Sequence, residues 1–464
     1  MHDGMLPPVL RNRPFDTLAV GDRASFVRTV GQDDIALFAA VSGDVNPAHL
    51  DAAFAATDLF GHVVAHGMWT GALVSAVLGT QLPGPGTIYL GQELKFLRPV
   101  SPGDTITATV TVKELRPPRR VVLLDTSCVN QKGEQVLEGV ATVIAPAEPV
   151  AWPRAPLPEV VLQRHDRYEE ALRAALASPP LRLAVAHPCS AAALLGALEA
   201  REAGLAEPVL VGPLKKIREA AEAAEVSLDG LEIEDVPHSH AAAARAVELA
   251  ALGRVGALMK GSLHTDELLS AVLAPQSGLR TERRISHVYA MDIPAYPKPL
   301  LVTDAAINIA PTLEQKRDIC QNAVDLMHIM GVERPRVAVL AAVETVNPKM
   351  AATLDAAALT VMAARGQITG ALVDGPLAFD NAISLDAARV KEIVSPVAGQ
   401  ADILLVPNLE AGNMLAKQLL YFAGAIAAGL VLGARVPVVL TSRSDSLRVR
   451  MASMALARLV ATKR

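Results

Sequence analysis

Aromatic side chains are scarce in this chain: only 3% of its 464 residues are Phe, Trp or Tyr. With few large rings and abundant alanine, close packing of small side chains and a helix-rich architecture are expected. Cys128, Cys189 and Cys320 stand alone, without the close pairs of a metal site or a disulfide framework, so a reducing compartment is the natural reading. An excess of one charge is missing too, since the formal net charge is -5. That balance gives no electrostatic reason to expect nucleic acid, and it leaves room for a local basic pocket that takes a polyanionic cofactor. The most apolar segment, Leu419 to Leu432, stops at Arg435 and is shorter than the roughly 20 residues a membrane span needs. It reads as a buried helix followed by a buried strand. The opening MHDGMLPPVL has no basic region followed by an apolar stretch, so no secretory signal is expected, and the cytoplasm is the expected location.

What is present suits a large globular protein. Hydrophobic residues make up 51% and charged residues 20%, enough for sizeable cores, and the length fits two or three domains. One boundary stands out. Residues 145–158 carry five prolines, whose fixed φ keeps the backbone out of regular helix and central strand. The expected division is a first domain over 1–146, a proline-rich linker over 147–166 and a second domain over 167–464.

The two sides of that linker have different grammar. Before it, Asp33 or Asp34 can cap a short helix through Val41, and Met68 to Leu78 reads as a helix apolar on nearly every side. Thr105 to Leu115, Arg120 to Asn130 and Gln135 to Ala145 then read as strands, with Asn130-Gln131-Lys132-Gly133 as a hairpin turn. A helix apolar all round must be covered all round, which predicts an antiparallel sheet wrapped round a central helix. After the linker, short apolar runs alternate with alanine-rich helices, and Thr312-Leu313-Glu314-Gln315 carries a capping-box signature. That rhythm predicts an α/β fold with a mostly parallel sheet covered on both faces. Ligands of such sheets sit at the carboxyl ends of strands, so the loops after Val406 and Leu440 are candidate sites.

Asp44-Val45-Asn46-Pro47-Ala48-His49 puts a carboxylate and an imidazole in one proline-bent loop, and Gly67 opens the apolar helix with unshielded backbone. Adding water across an enoyl thioester needs acid/base groups and backbone N–H donors for the developing enolate oxygen, which is this inventory. Together with His66-Gly67-Met68, Tyr89-Leu90-Gly91-Gln92, Phe96-Leu97-Arg98-Pro99-Val100 and Gly103-Asp104, the loop closely resembles the MaoC-like hotdog domain of (R)-specific enoyl-CoA hydratases over about Phe15 to Ile144. The resemblance implies Asp44 and His49 as acid/base residues flanking the water, and Gly67 as oxyanion donor. Asn46 would order the loop or the water. Arg98 would either meet a coenzyme A phosphate or be solvated.

Thr441-Ser442-Arg443-Ser444-Asp445-Ser446 offers hydroxyls, an Arg fork and a helix start, which suits phosphate as well as plain capping. His187-Pro188, Val211-Gly212-Pro213, Met259-Lys260-Gly261-Ser262, Gly278-Leu279-Arg280, Val373 to Leu377 with Asp380, and Pro407 to Asn413 are similar to the phosphate acetyl/butyryltransferase family over about Leu181 to Leu459. The wording of Met259-Lys260-Gly261 and Asn408-Leu409-Glu410-Ala411-Gly412-Asn413 looks more like the butyryltransferase branch. The resemblance implies a two-subdomain fold, a ternary complex without an acyl-enzyme, Ser442 and Arg443 as the phosphate-binding element, and Arg280 as a second phosphate ligand, with Asn413 in the substrate site. Asp445 departs from the acetyltransferase pattern, where the base-like Asp stands further beyond the Arg. The two resemblances together imply a bifunctional acyl-CoA enzyme, dimeric or larger, using coenzyme A thioesters and orthophosphate as substrates, with no metal and no tightly bound cofactor. The alternative leaves only the acyltransferase active and makes the hotdog domain an acyl-CoA-binding or assembly module. A dehydrogenase reading of the second domain lacks a clustered acidic site and a glycine fingerprint after a strand.

Overall fold

The computed structural model describes residues 8–156, 160, 162, 166–440 and 446–463. The chain divides into two compact units, residues 1–162 and 163–464.

In the first unit, β1 (Val9–Arg11) precedes β2 (Arg23–Thr29), and four helices follow: α1 (Gln32–Ser42), α2 (Pro47–Leu50), α3 (Ala52–Ala55) and α4 (Gly67–Thr80). Then come β3 (Ile88–Phe96), β4 (Thr105–Arg116), β5 (Val121–Val129), β6 (Gln135–Ile144) and β7 (Ala151–Pro153). Five of these strands form an antiparallel sheet in the order β2-β4-β5-β6-β3. Alternation along β4 sends Ile106, Ala108, Val110 and Val112 into the core, where they join Leu73, Val74, Val77 and Leu78 of α4. At the β5–β6 turn, Asn130 Oδ1 accepts from the amides of Lys132 and Glu134.

Three expectations need correction here. Neither Asp33 nor Asp34 is the cap of α1. The cap residue is Gly31, and Asp34 reaches back from the third helical position to accept from its amide at 2.8 Å. The sheet covers α4 on one side only, because Met68, Ala72, Ser75 and Gly79 recur at helical spacing and are exposed. The proline-rich segment also contains a strand: β7 pairs antiparallel with β1, Leu10 opposite Trp152. Its prolines keep it out of the five-stranded sheet, yet a two-stranded ribbon tolerates them at its end.

In the second unit eleven strands form one sheet. They are β8 (Leu181–Ala186), β9 (Ala206–Gly212), β10 (Glu232–Asp235), β11 (Ala257–Lys260), β12 (Ser286–Asp292), β13 (Leu300–Thr303), β14 (Arg336–Leu340), β15 (Leu372–Leu377), β16 (Ile403–Leu405), β17 (Ile426–Leu432) and β18 (Val438–Val439). The order is β10-β9-β8-β11-β18-β17-β12-β13-β16-β14-β15. Along β8, Leu183 and Val185 enter one apolar cluster while Ala184 and Ala186 enter another, as a sheet buried on both faces requires. Thr312 and Gln315 make the reciprocal capping box at Leu313–Ile329.

Most pairs in this sheet are parallel, but β17 runs against β18 and β12 runs against both β17 and β13. The sheet is therefore two parallel blocks of opposite direction joined by β17 and β12. Register brings their carboxyl ends level: Val439 at the end of β18 lies opposite Leu430, Leu430 opposite Val288, and Val288 opposite Thr303 at the end of β13.

Glycine positions give a direct test of the first unit. A Cβ on Gly139 would stand 1.9 Å from the Glu93 carbonyl oxygen, across the β3–β6 pair. Gly139→Ala should cost at least the roughly 1–3 kcal/mol of overpacking, read as a lower unfolding midpoint. A Cβ on Gly79, inside α4, meets nothing within 4 Å, so Gly79→Ala should stabilise by about 0.5–1 kcal/mol. Equal effects from the two substitutions would contradict this packing.

Candidate active sites in the two units

The first site forms where the short helices meet the start of α4. Asn46 caps α2, its Oδ1 accepting from the Ala48 amide at 3.1 Å, while the Asp44 carboxylate accepts from the Asn46 amide at 3.3 Å. This turn chemistry presents an exposed Asp44 and places His49 in α2. His49 Nδ1 donates to the Val64 carbonyl at 2.7 Å and His66 Nε2 to the Asp44 carbonyl at 3.0 Å. A carbonyl can only accept, so these bonds place hydrogens on those two nitrogens. The His49 and His66 rings lie 3.9 Å apart between centroids, tilted by 34°. One ligand atom each from Asp44, His49 and His66 lies within 4.8 Å of the others, a spacing that would also suit a divalent ion.

His49 and His66 border a cavity of about 330 Å³ whose walls also include Gly67, Phe96 and Arg98. Gly67 begins α4, so its amide is one of those that a helix leaves without an internal partner. A Cβ at that position would lie 3.0 Å from the Phe96 ring, so glycine lets the aromatic wall close over the helix start. Arg98 is anchored at the rim by a 2.8 Å bond to the Gln135 carbonyl. Asp44, Asn46, His49, Gly67 and Arg98 thus belong to one corner of the unit. The sequence reading gave His66 no role, although it sat in a quoted motif; its burial, at 3% exposure, was not legible from the residue type.

In the second unit, the segments singled out in the sequence gather at strand ends. After β11, Gly261 passes so close to β8 that a Cβ would lie 2.5 Å from the Ala186 and His187 carbonyl oxygens. Ser262 Oγ donates to the His187 carbonyl at 2.8 Å. At the other block, Asn408 caps Leu409–Phe422, and Asn413 Nδ2 donates to the Ala305 carbonyl at 3.2 Å. That contact ties the Asn408–Asn413 segment to a loop the sequence reading missed. In it the buried Asp304 carboxylate accepts from the amides of Ala306, Ile307 and Asn308. The repeated spacing of a carboxylate two to four residues before those amides is an Asx-turn signal that could have found it.

Arg280 is exposed and lines a separate cavity of about 380 Å³ with Arg283, Arg284, Arg317 and Gly433. From that edge β18 runs away, Val438 lying opposite Val431 and Val439 opposite Leu430. Ser442, Arg443 and Asp445 lie outside the described residues.

Residues 19–130 match the "MaoC like domain" model and residues 237–458 the "Phosphate acetyl/butaryl transferase" model. The chain is thus a MaoC-like module followed by a phosphotransacylase module. It is 58% identical over 313 residues to a phosphate acetyltransferase of Rhizobium meliloti, covering 68% of this chain and 96% of that protein. The chain belongs to the phosphate acetyl/butyryltransferase family. It is also 50% identical over 252 residues to a probable phosphate butyryltransferase of Bacillus subtilis, covering 54% of this chain and 83% of that protein. Both the acetyl and the butyryl branch of the family are represented among these relatives. Among solved structures, a branched-chain phosphotransacylase from Enterococcus faecalis is similar at 31% identity and a TM-score of 0.54, covering 60% of this chain and 99% of that one. No helix among the described residues is long and apolar enough to cross a membrane.

His287, beside the Asp304 loop, supplies a pH test of the second unit. Burial pushes its imidazole down to about 4 from 6.5, with the Asp304 charge opposing the shift. The folded pKa lies below the unfolded one, so folding favours the neutral ring. Stability should be intact above pH 6.5 and fall by about 3 kcal/mol as pH drops towards 4. Urea unfolding across that range should show a smaller loss for His287→Gln than for the parent. Identical pH slopes would contradict the assignment.

Proposed function

We propose that this chain is a bifunctional acyl-CoA enzyme. The first unit reversibly hydrates trans-2-enoyl-CoA to (3R)-3-hydroxyacyl-CoA, and the second exchanges coenzyme A for orthophosphate on an acyl group. The observation that carries the first half is that His49 and Gly67 line one cavity, with the Asp44 carboxylate clustered beside His49. Asp44 and His49 act as the acid/base pair around the water. The Gly67 amide, at a helix N-terminus, stabilises the thioester oxygen as it becomes enolate-like. Asn46 holds the loop, and Arg98 at the rim takes a coenzyme A phosphate.

The second half rests on the family membership and on the strand register that brings the two blocks' carboxyl ends level. The blocks on either side of β17 and β12 correspond to two subdomains. Ser442 and Arg443 bind phosphate and steady the transition state of direct transfer, without an acyl-enzyme. Arg280 adds a second anion contact, Asn413 orders the substrate loop, and Asp445 is a substrate-binding residue. Coenzyme A thioesters and orthophosphate are substrates, no metal or bound cofactor takes part, and the working form is a homodimer or larger in the cytoplasm. The two functional domains are the two compact units, residues 1–162 and 163–464, and the strand β7 makes the proline-rich segment part of the first.

Separate variants test the two halves on one preparation. Asp44→Asn and His49→Gln should each lower enoyl-CoA hydration by about 10²-fold or more, with phosphate-dependent acyl transfer near the parent value. Near-normal hydration in either folded variant removes that residue from the mechanism. Arg443→Lys keeps the charge but loses the planar fork, so acyl transfer should fall sharply, as it should in Ser442→Ala, with hydration unchanged. If Ser442 merely caps a helix, Ser442→Ala costs about 1 kcal/mol of stability and leaves turnover at saturating phosphate intact.

A further inference from the structure

Hydration leaves a hydrogen to be housed. One hydrogen of the attacking water passes to the acid/base pair and the O–Cβ bond forms, while a proton is delivered to Cα. The other hydrogen stays on the oxygen and becomes that of the product's 3-hydroxyl. In a walled cavity that hydrogen needs an acceptor throughout the reaction.

His66 supplies an unused one. Its Nε2–H is committed to the Asp44 carbonyl at 3.0 Å, which in the neutral ring leaves Nδ1 as a lone pair. That Nδ1 is buried and has no hydrogen-bond partner among the described residues, although buried polar atoms are rarely left so. The ring stacks on His49 with centroids 3.9 Å apart, and His66 shares with Asp44 and His49 a cluster whose ligand atoms lie within 4.8 Å of one another. One ring nitrogen of His66 belongs to that cluster, so a water held by Asp44 and His49 lies within reach of the His66 ring. We propose that His66 is a third catalytic residue of the hydration site, its Nδ1 accepting the hydrogen that the water retains and then holding the 3-hydroxyl of the hydroxyacyl-CoA product. This rests on the hydratase reading of the first unit.

The assignment makes an unequal prediction for the two directions. The bond to Nδ1 is present in the transition state and the hydroxyacyl complex but absent from the enoyl complex without its water. Removing it should lower kcat for hydration about tenfold at unchanged KM for the enoyl-CoA. In dehydration it should raise KM for the 3-hydroxyacyl-CoA by the same factor at unchanged kcat, which keeps the overall equilibrium constant fixed. His66→Gln is the variant of choice, since its amide can still reach the Asp44 carbonyl while vacating the Nδ1 position. His66→Asn, whose amide falls near Nδ1, should recover most of the lost hydration rate. A purely structural role for His66 would shift KM for both substrates and would not separate the two variants.

The experiment is steady-state kinetics in both directions with crotonyl-CoA and 3-hydroxybutyryl-CoA on the full chain, with and without EDTA. The expected result is the tenfold split in His66→Gln and its reversal in His66→Asn, both indifferent to EDTA. Parental kcat and KM in His66→Gln would overturn the proposal, as would hydration that EDTA abolishes and added Zn²⁺ restores. Should His66→Gln fail to fold, a structure of the parent with 3-hydroxybutyryl-CoA decides: a hydroxyl within about 3 Å of Nδ1 supports the assignment, and one bonded elsewhere sinks it. Failure of the hydratase reading itself would look different, because the parent would then turn over neither substrate.

Discussion

Strand direction is the constraint on which the second unit depends. Two parallel blocks of a sheet cannot present their carboxyl ends to each other unless the chain reverses between them, and β17 and β12 perform that reversal. Each lies antiparallel to its neighbour in the adjacent block, so the ends of β18 and β13 fall at one height, separated by only two strands. The loops that leave those ends can then approach from opposite directions. Ile307, just past β13, and Leu440, past β18, both pack against the apolar cluster that contains Leu263, past β11.

Close backbone approach then determines which residues those loops can contain. Gly261 runs against β8, and Gly412 passes the Asp304 carbonyl at a distance where a Cβ would meet it at 2.6 Å. Gly67 plays the same part in the first unit, where it lets the Phe96 ring lie over the start of α4. In all three places a missing side chain brings backbone or aromatic surface beside a helix start or a strand end.

The elements most legible in the sequence were those that local pattern specifies. Thr312 and Gln315 announced their helix by capping chemistry, Asn130 announced its turn, and the alternation along β4 gave a half-buried strand. What pattern could not give was partner and exposure. Val288 and Ala290 alternate with His287, Tyr289 and Met291 in β12, a strand the sequence reading did not separate, and nothing in those residues says that it runs against its neighbours. The open face of α4, with Met68, Ala72, Ser75 and Gly79, looked apolar enough to need covering. At the first site, the residues came from the motif, whereas the tautomers of His49 and His66 came from two distant carbonyls that only folding brings near. The Asp304 loop was missed because its importance lies in the tertiary contact with Asn413.

The central claim is that one chain carries out two reactions on acyl-CoA thioesters. It is tested most directly by giving the purified full chain a series of enoyl-CoA and saturated acyl-CoA substrates of increasing length. Loss of the conjugated double bond and phosphate-dependent release of coenzyme A are followed separately. The account predicts both signals from one preparation, hydration with enoyl-CoA and phosphate-dependent release with acyl-CoA, over overlapping chain lengths. Phosphate-dependent release without hydration of any enoyl-CoA in the series would contradict it.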